Sequence, residues 1–267
     1  MAMLRFTILG CGSSGGVPRL GGLWGDCDPA NPKNRRRRCS LLVERVTGDG
    51  GVTRVLIDTS PDMREQLLDA GVGHLDGVVW THAHADHVHG IDDLRMIVFN
   101  QRQMLNIWAD DPTFAELGSR FSYAFETPPG SAYPPILTRH PINGPITITG
   151  DGGDITLTPI PVQHGRIEVL GFRIADLAYM PDVNDIPGAA VEKLADLKVW
   201  ILDALRRTPH SSHLSLPESL NWINRLDPAR AILTNLHVDL DWETVNAETP
   251  DHICPAWDGM VVELSDG

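Results

Sequence analysis

Three imidazoles and one carboxylate fall within six residues, His82-Ala83-His84-Ala85-Asp86-His87, and no other stretch limits the possible folds as much. Leu75 to Trp80 before it reads as a short buried strand, and Val88 to Leu94 after it reads as the start of a helix. The four polar side chains therefore fall on a strand-to-helix turn, where sites are commonly built. Residues two apart in an extended segment point the same way, so His82 and His84 can bind one metal ion. The chain then turns, and Asp86 and His87 face a second position nearby. Imidazole and carboxylate suit Zn, Mn or Fe and leave a site open to water. The bland alternative is four polar residues in a solvated loop. A single His-x-His arises often by chance, but the whole string is rare in unrelated proteins.

The string resembles the signature of the metallo-β-lactamase superfamily, and further segments extend the likeness. Gly10-Cys11-Gly12-Ser13-Ser14-Gly15-Gly16-Val17-Pro18, Leu56-Ile57-Asp58-Thr59-Ser60-Pro61-Asp62 and Ile232-Leu233-Thr234 are similar to one branch of it. That branch holds a cyclic phosphodiesterase of phosphonate breakdown and, more distantly, tRNA 3′-end-processing endonucleases. The likeness runs from about Leu4 to Leu264. It implies an α/β fold, a four-layer αββα sandwich with one or two metals at one edge. No sequence repeat or low-complexity linker divides the chain, which reads as one domain over 1–267.

The resemblance also assigns roles. It makes His164, at the end of a strand, the third ligand of the first metal beside His82 and His84. It makes Asp182, after the strand Leu177 to Met180, a carboxylate bridging two ions. Asp86 and His87 serve the second ion, with Asp86 also in the catalytic set. Asp58 orients a ligand histidine or its loop. His213 precedes a helix with Ser215 as N-cap and Glu218 completing a capping box. It resembles the loop histidine that approaches the scissile phosphate. Here the branch has a histidine directly after Thr234, as a ligand of the second metal, but this chain has Asn235. His237, two residues on, is the expected substitute, because imidazole binds these ions far better than a neutral amide. The cofactors implied are two divalent ions, Zn or Mn.

Gly10-x-Gly12-x-x-Gly15 formally matches a dinucleotide fingerprint, but no helix can begin at Gly16-Val17-Pro18 and the βαβ context is missing. The glycines instead let the backbone pass near the metals, so that Ser13 and Ser14 offer hydroxyls or N–H groups to a substrate oxygen. A plain strand-exit loop explains them equally well. Residues 19 to 38 form a long loop. In the cyclic phosphodiesterase it carries three cysteines on a structural zinc, but here only Cys27 is present, and no structural metal is expected. Arg35 to Arg38 reads either as a phosphate-binding patch or as a solvated face paired to acids.

A net charge of −13 argues against a general nucleic-acid surface. No run of 18 apolar residues spans a membrane. Four scattered cysteines suggest a reducing, cytoplasmic setting. The expected partner is a small phosphorylated substrate; whether the chain forms a homodimer is left open. The leading reading is a metal-dependent phosphodiesterase for a small cyclic or nucleotide-like phosphodiester, with a metal-bridging hydroxide as nucleophile and His213 as acid. A carboxylic-ester, thioester or lactone hydrolase of the same fold, and a low-turnover metal- or nucleotide-binding protein, are the alternatives.

Overall fold

A computed structural model of the protein describes residues 2–266. In chain order the first part holds β1 (Ala2–Gly10), β2 (Ser40–Val46), β3 (Val52–Ile57), α1 (Met63–Asp69), β4 (Gly77–Val79), α2 (Ala85–Val88), α3 (Leu94–Gln101), β5 (Leu105–Ala109), α4 (Asp111–Arg120), α5 (Ser122–Phe125), β6 (Leu137–Pro141) and β7 (Ile146–Gly150). There follow β8 (Gly153–His164), β9 (Ile167–Ile174), β10 (Leu177–Met180), α6 (Gly188–Val191), β11 (Val199–Asp203), α7 (Leu216–Leu226), β12 (Arg230–Thr234), α8 (Trp242–Glu248), β13 (Ile253–Pro255) and β14 (Met260–Asp266).

Two mixed seven-stranded sheets result, ordered β14-β1-β2-β3-β4-β5-β6 and β13-β12-β11-β10-β9-β8-β7. The class is α/β, as expected. By contact the chain groups into two compact units, residues 2–9, 40–156 and 261–266 in the first and residues 10–39 and 157–260 in the second.

In the first unit β2 and β3 form the expected antiparallel hairpin, with Val43 opposite Val55 and a turn closed by Thr47 N–H to Gly51 O at 3.0 Å. Pairing then becomes parallel from β3 through β6. Met63 and Leu67 of α1, Ile97 of α3 and Leu117 of α4 bury their apolar faces against Leu56, Val78 and Ile107 of the sheet. The mixed signals between Met96 and Trp108 resolve into α3 and β5, because Arg102 takes a left-handed backbone (φ 55°) that ends the helix. Trp80 is fully buried, and its indole N–H reaches Thr59 Oγ1 at 3.0 Å, so its one polar atom is satisfied.

In the second unit β10, β11, β12 and β13 run parallel, and β8, β9 and β10 antiparallel. Their core joins Val162, Met180, Trp200, Leu202 and Leu233 to Ile223 of α7 and Val245 of α8. The capping box at Ser215 and Glu218 is present, with Pro217 in the first turn. The loop histidine at 213 is thus tied to a helix start that its own neighbours fix.

Candidate metal centre

Within each unit most of the polar residues of interest lie at the carboxyl ends of parallel strands, the usual ligand edge of such sheets, whereas His164 ends the antiparallel β8. In the first unit Asp58 follows β3, and Thr81 and His82 follow β4. Asp58 is fully buried and takes φ 66°, which turns its side chain under the His82–His87 loop. Its Oδ1 accepts from Thr81 N–H at 2.8 Å, and its Oδ2 accepts from the Thr81 hydroxyl at 2.8 Å and from His87 Nδ1 at 2.8 Å. Thr81 has one hydroxyl proton and gives it to Asp58. Its oxygen must therefore accept from His82 Nδ1, 2.9 Å away. Asp58 thus sets both tautomers, one directly and one through Thr81, and places the ring lone pairs of His82 and His87 on Nε2. Burial pushes the Asp58 carboxyl up, against the opposing pull of His87 and Thr81.

The rings of His82 and His84 lie 4.5 Å apart, and those of His82 and His87 lie 4.4 Å apart. His87 Nε2 is 3.5 Å from Asp86 Oδ2. Gly90 is required here: a Cβ would meet Ser60 O at 2.1 Å, where the Asp58 loop presses on the end of the turn. Arg120, at the end of α4, donates to Ala83 O at 2.8 Å and braces the turn from outside.

In the second unit His164 ends β8, and its Nδ1 donates to Ser212 O at 2.5 Å, which again leaves the lone pair on Nε2. That nitrogen is 3.5 Å from Asp182 Oδ2. His213 Nδ1 lies 2.8 Å from Asp203 Oδ2, and the His213 ring is 4.5 Å from that of His164. Asp203, the last residue of β11, is fully buried and also accepts from Val183 N–H at 3.0 Å. Burial pushes its carboxyl up to about 7; His213 works against this and the nearby Asp182 adds to it. Sequence reading gave Asp203 no role. The available signal was a lone carboxylate closing the apolar run Val199-Trp200-Ile201-Leu202.

Asn235 takes a left-handed backbone (φ 61°) directly after β12. Its amide nitrogen reaches Asp182 Oδ1 at 3.1 Å and Asp203 Oδ1 at 3.3 Å. This corrects the expectation for His237. The His237 ring is instead held by Asp239 Oδ1 at Nδ1, 2.9 Å away, and by the Arg19 guanidinium at Nε2. The reversed backbone at Asn235 redirects the chain, so the face shared by residues two apart in a strand no longer exists there.

Ser13 is buried and its N–H is spent on Leu236 O at 3.3 Å, whereas Ser14 is exposed. The arginine run divides: Arg35 is exposed and Arg37 is half-buried, whereas Arg36 turns inward. Arg36 is buried and donates to Leu240 O at 2.8 Å, His237 O at 3.3 Å and Asn34 Oδ1 at 3.1 Å. Arg37 pairs with Asp258 at 3.0 Å. Cys27 packs with Val17, Trp24 and Val238 beside the Arg36 guanidinium.

The donor chemistry of both units fits divalent metal. Histidines held by Nδ1 present Nε2, and carboxylates stand beside them. The beta-lactamase superfamily domain family matches residues 53–235. The chain belongs to the metallo-β-lactamase superfamily. A crystal structure of a diphosphatase from the PhnP family is 34% identical, with a TM-score of 0.87, over 99% of this chain and 98% of that one. The protein is a hydrolase of this PhnP-like kind. The octanoyltransferase of Porphyromonas gingivalis is 33% identical over 96% of this chain, which spans about half (51%) of that protein's length. The zinc-bound PqqB of Methylobacterium extorquens, 18% identical with a TM-score of 0.73 over 97% of this chain and 100% of that one, shares the fold. Superfamily members of this fold use divalent metals. No helix among the described residues is long and apolar enough to cross a membrane.

Proposed function

We propose that the protein is a metal-dependent phosphodiesterase for a small cyclic or nucleotide-like phosphodiester. In this reading the ligands would come from His82, His84, Asp86 and His87 of the first unit and from His164 and Asp182 of the second, as the family resemblance implies. Asn235 is not a ligand; its amide holds the Asp182 carboxylate in place. When bound, two divalent ions lower the pKa of water and offset charge on phosphoryl oxygens.

The observation that carries the reading is the pairing of buried Asp203 with half-buried His213, 2.8 Å apart, with the His213 ring against that of His164. A carboxylate on Nδ1 fixes the tautomer and favours the imidazolium, so Nε2 can hand a proton to a departing alkoxide. Phosphodiesters with poor leaving groups need such an acid; activated acyl esters do not. The likeness to a PhnP-family diphosphatase supports phosphorus as the electrophile. The match to half of an octanoyltransferase favours a second reading, hydrolysis of an acyl ester or thioester.

The test is turnover of bis(p-nitrophenyl) phosphate by protein stripped with a chelator and reloaded with Mn or Zn. Loss on stripping and return on loading are expected. Chelator-insensitive turnover, or cleavage of thioesters with no phosphodiester accepted, overturns the proposal.

A further inference from the structure

A cavity of about 380 Å3 lies in the first unit, lined by Arg95, Tyr123, Pro128, Ser131 and Tyr133. None of these residues belongs to the ligand set proposed above. Its walls are nevertheless tied to the metal turn. Asp92, in the short turn that follows α2, lies 3.5 Å from the Arg95 guanidinium, and its carboxylate is near enough to Tyr123 to help hold the phenol's proton. Arg120 reaches back to Ala83 O at 2.8 Å, between His82 and His84, and Tyr123 is only three residues further along. Three residues span at most about 11 Å. Phe121 adds an edge-on contact to His89, with ring centroids 5.7 Å apart.

From this arrangement we propose that the cavity is a subsite for the planar base of a nucleotide-like substrate whose phosphoryl group lies at the metal turn. The proposal rests on the phosphodiesterase reading and names the substrate class within it. Two tyrosine rings and a guanidinium plane are the surfaces on which bases stack in proteins that take single nucleotides without reading their sequence. Tyr133 is 73% exposed and Tyr123 is 37% exposed, so both rings present surface to a ligand. Asp92 pairs with Arg95 one helical turn away, which favours the guanidinium position beside the cavity. Arg95 keeps further N–H donors for carbonyl or ring-nitrogen acceptors on a base edge. Pro128 and the turn closed by Ser131 N–H on Pro128 O at 3.0 Å stiffen the outer wall. A cavity of this size lies in the ordinary range for small-molecule sites.

The test compares binding of adenosine 5′-monophosphate with that of ribose 5-phosphate, by calorimetry on the metal-loaded full chain. The two probes share sugar and phosphate and differ by the base. Stacking predicts that the adenine compound binds about five- to a hundred-fold tighter. Tyr133→Ala is expected to remove most of that ratio and Tyr133→Phe to keep it, and Tyr133 is exposed enough that neither change disturbs the core. Equal binding of the two probes to the wild type, or a ratio untouched by Tyr133→Ala, overturns the subsite even if phosphodiesters are turned over. If the ratio holds and depends on Tyr133 while no phosphodiester is hydrolysed, the subsite stands and the phosphodiesterase reading falls.

Discussion

Asp58 Oδ2 lies 2.8 Å from His87 Nδ1, and the same oxygen takes the Thr81 proton that would otherwise face His82. One buried carboxylate therefore decides which nitrogen two histidines present. Asp58→Asn replaces one accepting oxygen with a donor, so either the Thr81 N–H loses its acceptor or, with the amide turned over, the Thr81 hydroxyl and His87 lose theirs. Groups in this position typically control 10- to 100-fold in metal affinity or activity, about the loss expected here. Competition titration against a chromophoric chelator measures it. Unchanged affinity in a folded variant makes Asp58 a packing residue only.

The contrast between Asn235 and His237 yields a second expectation. Asn235 bonds Asp182 and Asp203, whereas His237 is engaged by Arg19 and Asp239. Asn235→Ala leaves two buried carboxylates short of a donor, at a cost of about 1–3 kcal/mol each where no water replaces it. It is expected to lower metal occupancy and turnover. His237→Ala is expected to keep both ions. Elemental analysis of the two variants after loading decides, and loss of an ion from His237→Ala alone restores the histidine as a ligand.

What the sequence revealed and what it hid divide along physical lines. The turn at 82–87 was legible because its chemistry is local: four side chains, fixed spacing, strand before and helix after. The α7 start was legible because Ser215, Pro217 and Glu218 each carry a positional preference. His164 and Asp182 took meaning only from the resemblance, since one histidine or one aspartate at a strand end is ordinary. His237 misled because spacing arguments assume a continuing strand, and Asn235 tolerates the left-handed backbone that breaks it. Arg36 was illegible for a related reason. Four identical residues in a row show no periodicity, so nothing distinguishes the one that is 2% exposed.

A pH effect on stability follows from Asp258. Its Oδ2 accepts from Arg37 N–H at 2.8 Å and Nε at 3.0 Å, and its Oδ1 from Cys11 N–H at 3.2 Å. Burial still outweighs these bonds and pushes the carboxyl up to about 6 from an ordinary 3.8. The folded state therefore holds this proton more tightly than the unfolded chain. Its stabilising contribution is complete below about pH 4 and is lost as pH rises through 6. The full swing is roughly 3 kcal/mol at most. Urea midpoints at pH 4.5 and 7 are expected to fall more steeply in the wild type than in Asp258→Asn, which cannot titrate there. Parallel pH profiles for the two proteins refute this.

The role of His213 predicts a leaving-group signature. Asp203 holds its Nδ1 at 2.8 Å, so the proton available to a substrate sits on Nε2 of the imidazolium. A p-nitrophenolate departs without protonation, whereas an alkoxide does not. General acid catalysis is typically worth about 10²- to 10⁴-fold. His213→Ala is therefore expected to cost about that much on an alkyl phosphodiester and far less on bis(p-nitrophenyl) phosphate. Asp203→Asn is expected to follow the same pattern more mildly, because it spoils the tautomer without removing the ring. Steady-state kcat on both substrates for the wild type and the two variants gives the comparison. Equal losses on the two esters, with metal content intact, assign His213 to substrate binding rather than proton transfer.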